Sequence, residues 1–399
     1  MSKIFVVNAG SSSLKFQLLE MPTETVITSG IIEKIGLEMG IFTIKYSGKK
    51  DVKELVIENH TKAVEILLKA LVDNKIVSSL EEIEACGHRV VHGGEHFTDS
   101  AIVNADVIQK VEDLKNLAPL HNPANLTGYY AFQKALPNAK HVFTFDTAFH
   151  QTINEDCFLY SLPIEYYEKH GVRKYGFHGT SHKFVSASAI EYLGNPKDSK
   201  IIVCHLGNGA SVSAIKNGEC VDTSMGFTPL AGLMMGTRSG DVDPSILPYI
   251  MEKENLDINQ MLDVLNQKSG MLGISRISSD SRDIEDLYYK NDAIAIKTSQ
   301  LYAKTVSKFI GSYVMELGGV DAIVFTAGLG ENAAYLRELI INNVSEALET
   351  KIDQDVNNAH IRKDHLGLIS TAESKVKVLV IPTNEEVVIA RDTQRLLKL

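Results

Sequence analysis

The chain has 399 residues, 44% of them hydrophobic and 23% charged, with a formal charge of −10. This length exceeds what one core ordinarily holds, so two domains with a cleft between them are expected, while the acidic balance excludes a broad nucleic-acid-binding face, which needs clustered Lys and Arg. No apolar stretch reaches the roughly 18 to 20 residues of a membrane span, and Cys86, Cys157, Cys204 and Cys220 are too scattered for a zinc motif and read as reduced cytosolic thiols.

Met1 to Phe16 lacks the apolar core and small-residue cleavage site of a signal peptide. Lys3 to Val7 is a β-rich run that ends in a polar turn, Asn8 to Ser13, and Leu14 to Leu19 resumes an alternating apolar pattern, which predicts strand, turn, strand. Lys15 falls on the second strand, where a long cation could reach back to a phosphate or simply be solvated. Val26 to Ile32 and Ile41 to Tyr46 follow as strands, and Thr61 to Val72 has helical spacing. Gly87 to Gly94 is another strand-like run, with Arg89 among apolar neighbours. An unpaired buried guanidinium costs roughly several kcal/mol, so Arg89 needs an internal carboxylate or a bound anion, and the sequence leaves both open. Ala139 to Phe145 is a buried-type strand running into Asp146, a carboxylate suited to orienting an acceptor, assisting a metal or capping a helix.

The stretch from Asp156 to Lys174 is mixed and turn-rich, which places a domain junction near residue 150. The first domain is then 1–150, rejoined by a C-terminal helix at 386–399, and the second is 151–385. In the second half Ile201 to Leu206, Gly207 to Gly209 and Ala210 to Ile215 repeat the opening strand-turn-strand unit, followed by a glycine-flanked Arg238 in Ala231 to Gly240. Ala293 to Leu317 is helical, Gly328 to Asn332 is a glycine turn opening a helix at Glu331, Val376 to Ile381 is a strand, and Glu385 to Leu397 has helical spacing. This recurring order suggests two related α/β domains.

Four turns of small or polar residues, at Asn8 to Ser13, Gly207 to Gly209, Ala231 to Gly240 and Gly328 to Asn332, let backbone amides approach phosphate oxygens. None is a Walker A loop or a dinucleotide fingerprint. The histidine-rich middle, His121, His150, His178 and His182, contains no G-x-S-x-G nucleophile elbow. A metal site on His178 and His182 would need a helix that Gly179 weakens. A His beside a transferring phosphoryl group can donate a hydrogen bond.

N-A-G-S-S-S-L-K at Asn8 to Lys15, G-H-R-V-V-H-G-G at Gly87 to Gly94, Y-G-F-H-G-T-S-H at Tyr175 to His182, H-L-G-N-G at His205 to Gly209 and P-T-N-E-E at Pro382 to Glu386 together resemble the acetate kinase family, in order and over almost the whole chain. The resemblance implies an α/β fold of duplicated actin-like, ribonuclease H-like domains with mixed sheets and an interdomain nucleotide cleft. It also implies a cytoplasmic homodimer joined through the second domain, with ATP/ADP and acetate/acetyl phosphate as partners and neither nucleic acid nor membrane. By that resemblance Asn8 and Glu385 associate with Mg2+, for which Mn2+ can substitute. Asp146, His178 and Arg238 are catalytic, and Arg89, Val91, Leu120, Phe177 and Pro229 hold the carboxylate and its methyl group. Lys15, His205, Leu206, Gly207, Asn208, Gly209, Asp280, Ser281, Arg282, Gly328, Leu329, Gly330, Glu331 and Asn332 hold the nucleotide. Val91 favours acetate, although one methylene is worth only about 1 to 3 kcal/mol, which keeps a propionate or other short-chain acyl kinase as an alternative. An actin-like ATPase switch and a sugar kinase are further alternatives, disfavoured by the second anion site and by the apolar pocket.

Overall fold

The computed structural model describes every residue except Leu120 and Arg362, so the expected pocket residue Leu120 lies outside the described residues. The chain divides into two compact units, Met1–Gln151 with Asn384–Leu399, and Thr152–Thr383.

The first unit is built on a mixed sheet of β1 (Ser2–Ala9), β2 (Ser13–Met21), β3 (Thr25–Glu33), β4 (Gly40–Tyr46), β5 (Lys49–Leu55), β6 (Ile83–Val90), β7 (Ala101–Ile102) and β8 (Lys140–Phe145), in the order β5-β4-β3-β2-β1-β6-β8-β7. β1 pairs antiparallel with β2 and parallel with β6, and β6 pairs parallel with β8. β1 reads as a nearly unbroken apolar run because helices cover both its faces. Helices Asn122–Ala135 and Glu385–Leu397 each pack on both β1 and β6. The terminal helix sits so close to β6 that a Cβ on Gly87 would stand 2.5 Å from Ile389 Cγ2 and from Thr393 Oγ1, which reserves that position for glycine. The core of this unit joins Phe5, Phe16, Phe42 and Phe132 to Leu67 and Leu71 of the helix His60–Asp73.

The second unit repeats the plan with β9 (Lys200–Leu206), β10 (Ala210–Lys216), β11 (Glu219–Thr223), β12 (Ala322–Thr326), β13 (Gly367–Leu368) and β14 (Lys377–Val380), ordered β11-β10-β9-β12-β14-β13. An antiparallel three-strand meander, two further strands parallel to its first strand, and a short antiparallel edge occur in both sheets. The duplication expected from the two hairpins therefore extends to six strands of each sheet, with β4 and β5 added at one edge of the first.

Two local expectations are corrected. Asn8 belongs to β1, paired with Lys15 across the hairpin, and the turn proper is tighter, with Gly10 N donating to Ser13 O at 2.8 Å. Gly328 to Asn332 is not an open turn, because a short helix already begins at Ala327. Its first residue takes a left-handed φ of 66°, and the Glu331 carboxylate reaches back to accept from Ala327 N at 2.8 Å and from Thr383 N at 3.2 Å. That cap outweighs the low helix propensity of two glycines.

Candidate active site

Parallel strands bring their C-terminal ends to one edge of a sheet, and ligand-binding groups in α/β folds gather there. In the first unit Asn8 lies near the end of β1, Arg89 near the end of β6 and Asp146 directly after β8. The buried Asp146 carboxylate accepts from Arg89 Nε at 2.9 Å and from Nη2 at 2.5 Å, and Arg89 Nη1 donates to Asn8 Oδ1 at 3.3 Å. The partner that Arg89 required is thus an internal carboxylate, held by the bidentate fork that guanidinium geometry favours. Burial alone would lower the Arg89 pKa, but the Asp146, Glu385 and Glu386 charges hold it above its ordinary value.

Asn8, Lys15, Arg89, Glu385 and Glu386 line one small cavity. Glu385 opens the helix Glu385–Leu397, whose cap Asn384 accepts from Val387 N at 3.1 Å. A helix N-terminus ordinarily favours a negative charge. Here burial dominates, and with the Asp146 and Glu386 charges it pushes Glu385 up to about 7 against the pull of Arg89 and Lys15. Three carboxyls, Asp146, Glu385 and Glu386, act there with two cations, Arg89 and Lys15. Asn125 fixes the neighbouring backbone, accepting from Val91 N at 3.1 Å and donating to Ala9 O at 2.8 Å.

In the second unit His205 and Leu206 end β9, and Gly207 to Gly209 turn the chain into β10. His178 caps the helix Gly179–Tyr192 in a left-handed conformation, φ 59°. Its Nδ1 lies 2.9 Å from Ser211 Oγ, and its ring stacks on His205 with centroids 4.2 Å apart. Arg238 Nη1 donates to Pro229 O at 3.0 Å. Among the described residues no carboxylate pairs with this guanidinium, and burial lowers its pKa. A Cβ on Gly209 would stand 3.3 Å from Arg238 Nη1 and 3.6 Å from His178 Nε2, so both side chains reach the same turn.

A cavity of about 330 Å³ in this unit is lined by Gly207, Asn208, Gly236, Met271, Ser279, Asp280, Ser281 and Leu329. Gly236 leaves room there for Asn208, whose Oδ1 would lie 1.9 Å from a Cβ. Arg282 is folded back on Asp280 instead, Nε to Oδ1 at 3.0 Å, and is mostly exposed. Glu331 is consumed by its capping role, and Asn332 Nδ2 donates to Gly328 O at 2.7 Å. Gly330 O accepts at 2.8 Å from Arg337 Nη1, a fully buried guanidinium that burial pushes down to about 10. Phe177 is buried in this unit, as Val91 is in the first.

The structure thus groups Asn8, Lys15, Arg89, Asp146 and Glu385 in one unit. In the other it groups His178, Arg238, Pro229 and His205 to Gly209, with Asn208, Asp280, Ser281 and Leu329 around one cavity. Gly236, Met271, Ser279, Ser211, Ser181 and Arg337 were not picked out from the sequence. Gly236 stood within an expected turn, and the alternation of Ser211 and Ser213 in an otherwise apolar strand was a usable sign. Cys86, His88 and His141 cluster in the first unit, but His88 Nε2 and His141 Nδ1 already share a hydrogen bond at 2.9 Å, and burial keeps both rings neutral.

Two sheets of one plan, each carrying charged or glycine-rich groups at the ends of its parallel strands, define the class of duplicated α/β phosphotransferases. The comparisons narrow this. The sequence model of the Acetokinase family matches residues 3–391. An acetate kinase of Shouchella clausii (strain KSM-K16) is 53% identical over 397 residues, covering 99% of this chain and 100% of that protein. The crystal structure of Porphyromonas gingivalis acetate kinase superposes with a TM-score of 0.94 at 48% identity, covering 100% of both chains. A propionate kinase from Francisella tularensis subsp. tularensis SCHU S4 gives 0.93 at 41% identity, covering 99% of this chain and 100% of that one. The chain belongs to the acetokinase family.

Proposed function

We propose that this protein catalyses reversible, direct in-line transfer of the γ-phosphoryl group of ATP to acetate, giving acetyl phosphate and ADP. The observation that carries the reading is Arg238, a partly buried guanidinium that pairs with no carboxylate among the described residues, beside the His178 imidazole over a glycine turn. A cation in that state is made for an anion that arrives with the substrate.

Two anions must be brought together, so their charge has to be neutralised before the carboxylate oxygen attacks. Arg238 serves the transferring phosphoryl or acyl-phosphate group, and His178 donates to phosphoryl oxygens as charge spreads over them in a loose transition state. Acetate is already a nucleophile at neutral pH, so Asp146 acts as an organiser, fixing the Arg89 fork and through it Asn8. Val91, Phe177 and Pro229 are the residues this reading assigns to the methyl group. Lys15, His205 to Gly209, Asp280 to Arg282 and Gly328 to Asn332 serve the nucleotide.

Asn8 and Glu385 are the residues that would hold Mg2+, with Mn2+ as a substitute. They fit it in kind: both offer hard oxygen donors, and a buried carboxylate is an anion whose charge a bound cation would compensate. A divalent ion bound there supplies charge neutralisation on the phosphates. All four cysteines are free thiols and no helix of the described residues is long and apolar enough to cross a membrane, in keeping with a cytoplasmic enzyme. We further propose a homodimer joined through the second domain, expected at 151–385, of which the compact units assign Gln151, Asn384 and Glu385 to the first.

Likeness to the propionate kinase supports a second reading, in which a longer acyl chain is the better substrate. The test is hydroxamate trapping of acyl phosphate from MgATP with acetate, propionate or butyrate, and without carboxylate. Most product from acetate is expected. Most from propionate would select the second reading, and ATP hydrolysis without trapped product would overturn both.

A further inference from the structure

Two stacked imidazoles in the second unit each have a serine hydroxyl on the same ring nitrogen. Ser211 Oγ lies 2.9 Å from His178 Nδ1 and 2.7 Å from His182 Nε2. Ser181 Oγ lies 2.8 Å from His205 Nδ1 and accepts from Thr383 Oγ1 at 2.8 Å. Ser211, Ser181 and His182 are wholly buried and His205 is nearly so. A serine hydroxyl has one proton to give. Ser181 receives the Thr383 proton, so its own goes to His205 Nδ1. When His182 donates through Nε2 to Ser211, the Ser211 proton likewise goes to His178 Nδ1. An imidazole that accepts at Nδ1 carries its own proton on Nε2.

Those Nε2 atoms face the glycine turn. A Cβ on Gly209 would stand 3.6 Å from His178 Nε2, and one on Gly207 would stand 3.9 Å from His205 Nε2. An ionised phosphoryl oxygen only accepts hydrogen bonds, so a ring in the opposite tautomer would present it with a lone pair and repel it. We propose that Ser211 and Ser181 are positioning residues that lock neutral His178 and His205 in the Nε2–H tautomer, through the relays His182–Ser211–His178 and Thr383–Ser181–His205. The two rings then present paired donors to phosphoryl oxygens over Gly207 to Gly209, with neither having to take up a second proton. This rests on the phosphoryl-transfer reading of the same site.

The test is the 15N spectrum of the imidazole nitrogens in the intact protein, with signals assigned by their loss in His178→Gln and His205→Gln. Wild type should show both rings with Nδ1 unprotonated and Nε2 protonated. Ser211→Ala should turn His178 into a tautomer mixture and lower kcat about 10- to 100-fold, less than the ~10²- to 10⁴-fold cost of losing an oriented donor or a correct tautomer outright because the correct tautomer stays partly populated, with both KM values within about twofold. Ser211→Thr, which keeps the hydroxyl, should recover most of the rate. A protonated Nδ1 on either ring in wild type would overturn the inference, as would a Ser211→Ala protein whose His178 tautomer is unchanged. If Ser211→Ala does not fold, the wild-type spectrum still decides. A wild-type protein that forms no acyl phosphate would sink the functional reading, while the nitrogen spectra would still judge the tautomer lock separately.

Discussion

At the scale of single residues, the two candidate arginines differ in how far they are already satisfied. Arg89 spends three donor groups on Asp146 and Asn8. Arg238 spends only Nη1, on the Pro229 carbonyl and weakly on Met235 Sδ at 3.8 Å, and among the described residues no carboxylate pairs with it. Removing Arg238 should therefore cost transition-state stabilisation with little cost to the fold, and Arg238→Ala is expected to lose about 10²- to 10³-fold in kcat. Arg238→Lys should recover only a small part, because an ammonium lacks the planar fork. Steady-state rates beside circular dichroism spectra check both, and a rate within a few-fold of wild type would remove Arg238 from the mechanism. Arg89→Ala should differ in kind, since it strands the buried Asp146 charge and costs about 3 kcal/mol or more of stability. A thermal melt tells the two variants apart.

At the scale of elements, the glycine turns act by close approach. Gly236 leaves room for Asn208, whose Oδ1 would lie 1.9 Å from an added methyl group. That oxygen ends a side chain that can swing aside, so Gly236→Ala should spare the fold and displace Asn208 from the cavity wall. The expected result is about a tenfold rise in KM for ATP, equal to about 1.4 kcal/mol, with Tm moved by less than about 2 °C. A large fall in Tm with KM unchanged would mean that the backbone had moved instead. Strands and long helices were legible because their signals are local. Ala293–Leu317 and Glu385–Leu397 have the bounds their periodicity predicts, and the hairpins at β1-β2 and β9-β10 fall where glycine and serine interrupt apolar runs. The short helix at Ala327 was not legible, because the Glu331 carboxylate that closes it is held in turn by Thr383 N, 52 residues further along the chain. Ser211 and Ser181 escaped notice for the same reason. Their partners His178 and His205 lie 33 and 24 residues distant in sequence and meet them only when the strands and the helix Gly179–Tyr192 pack.

At the scale of the whole molecule, the same sheet plan used twice places functional groups at the ends of corresponding parallel strands, and buried polar groups accompany it. The most telling for stability are His88 and His141, hydrogen-bonded to each other within an aromatic box of Tyr129, Phe132 and Phe143. Burial drives His141 down to about 4, and burial together with His141 drives His88 well below the usual imidazole range. Above pH ~7.5 both rings are neutral in the folded and the unfolded chain, and they add no pH dependence. As pH falls from ~6.5 toward ~4 the unfolded chain takes up protons that the folded core refuses, so stability falls by up to about 1.4 kcal/mol per pH unit for each ring. The overall charge works the other way. The formal −10 at pH 7 shrinks toward the pI near 5.7, which relieves self-repulsion, but between solvated charges that effect is screened by salt. Glu385, pushed up to about 7 by burial, takes up a proton in the folded chain over the same window and works against one ring, whereas His92, pushed down to about 4 by burial, works with the pair. The buried rings should therefore win at about 0.15 M salt, and Tm should decline from pH 6.5 to pH 4.5. His141→Gln leaves His88 a partner and deletes one titrating group, so the slope should shrink by about 1.4 kcal/mol per pH unit. Urea unfolding of the two proteins at several pH values measures this, and equal slopes would place the acid sensitivity elsewhere in the chain.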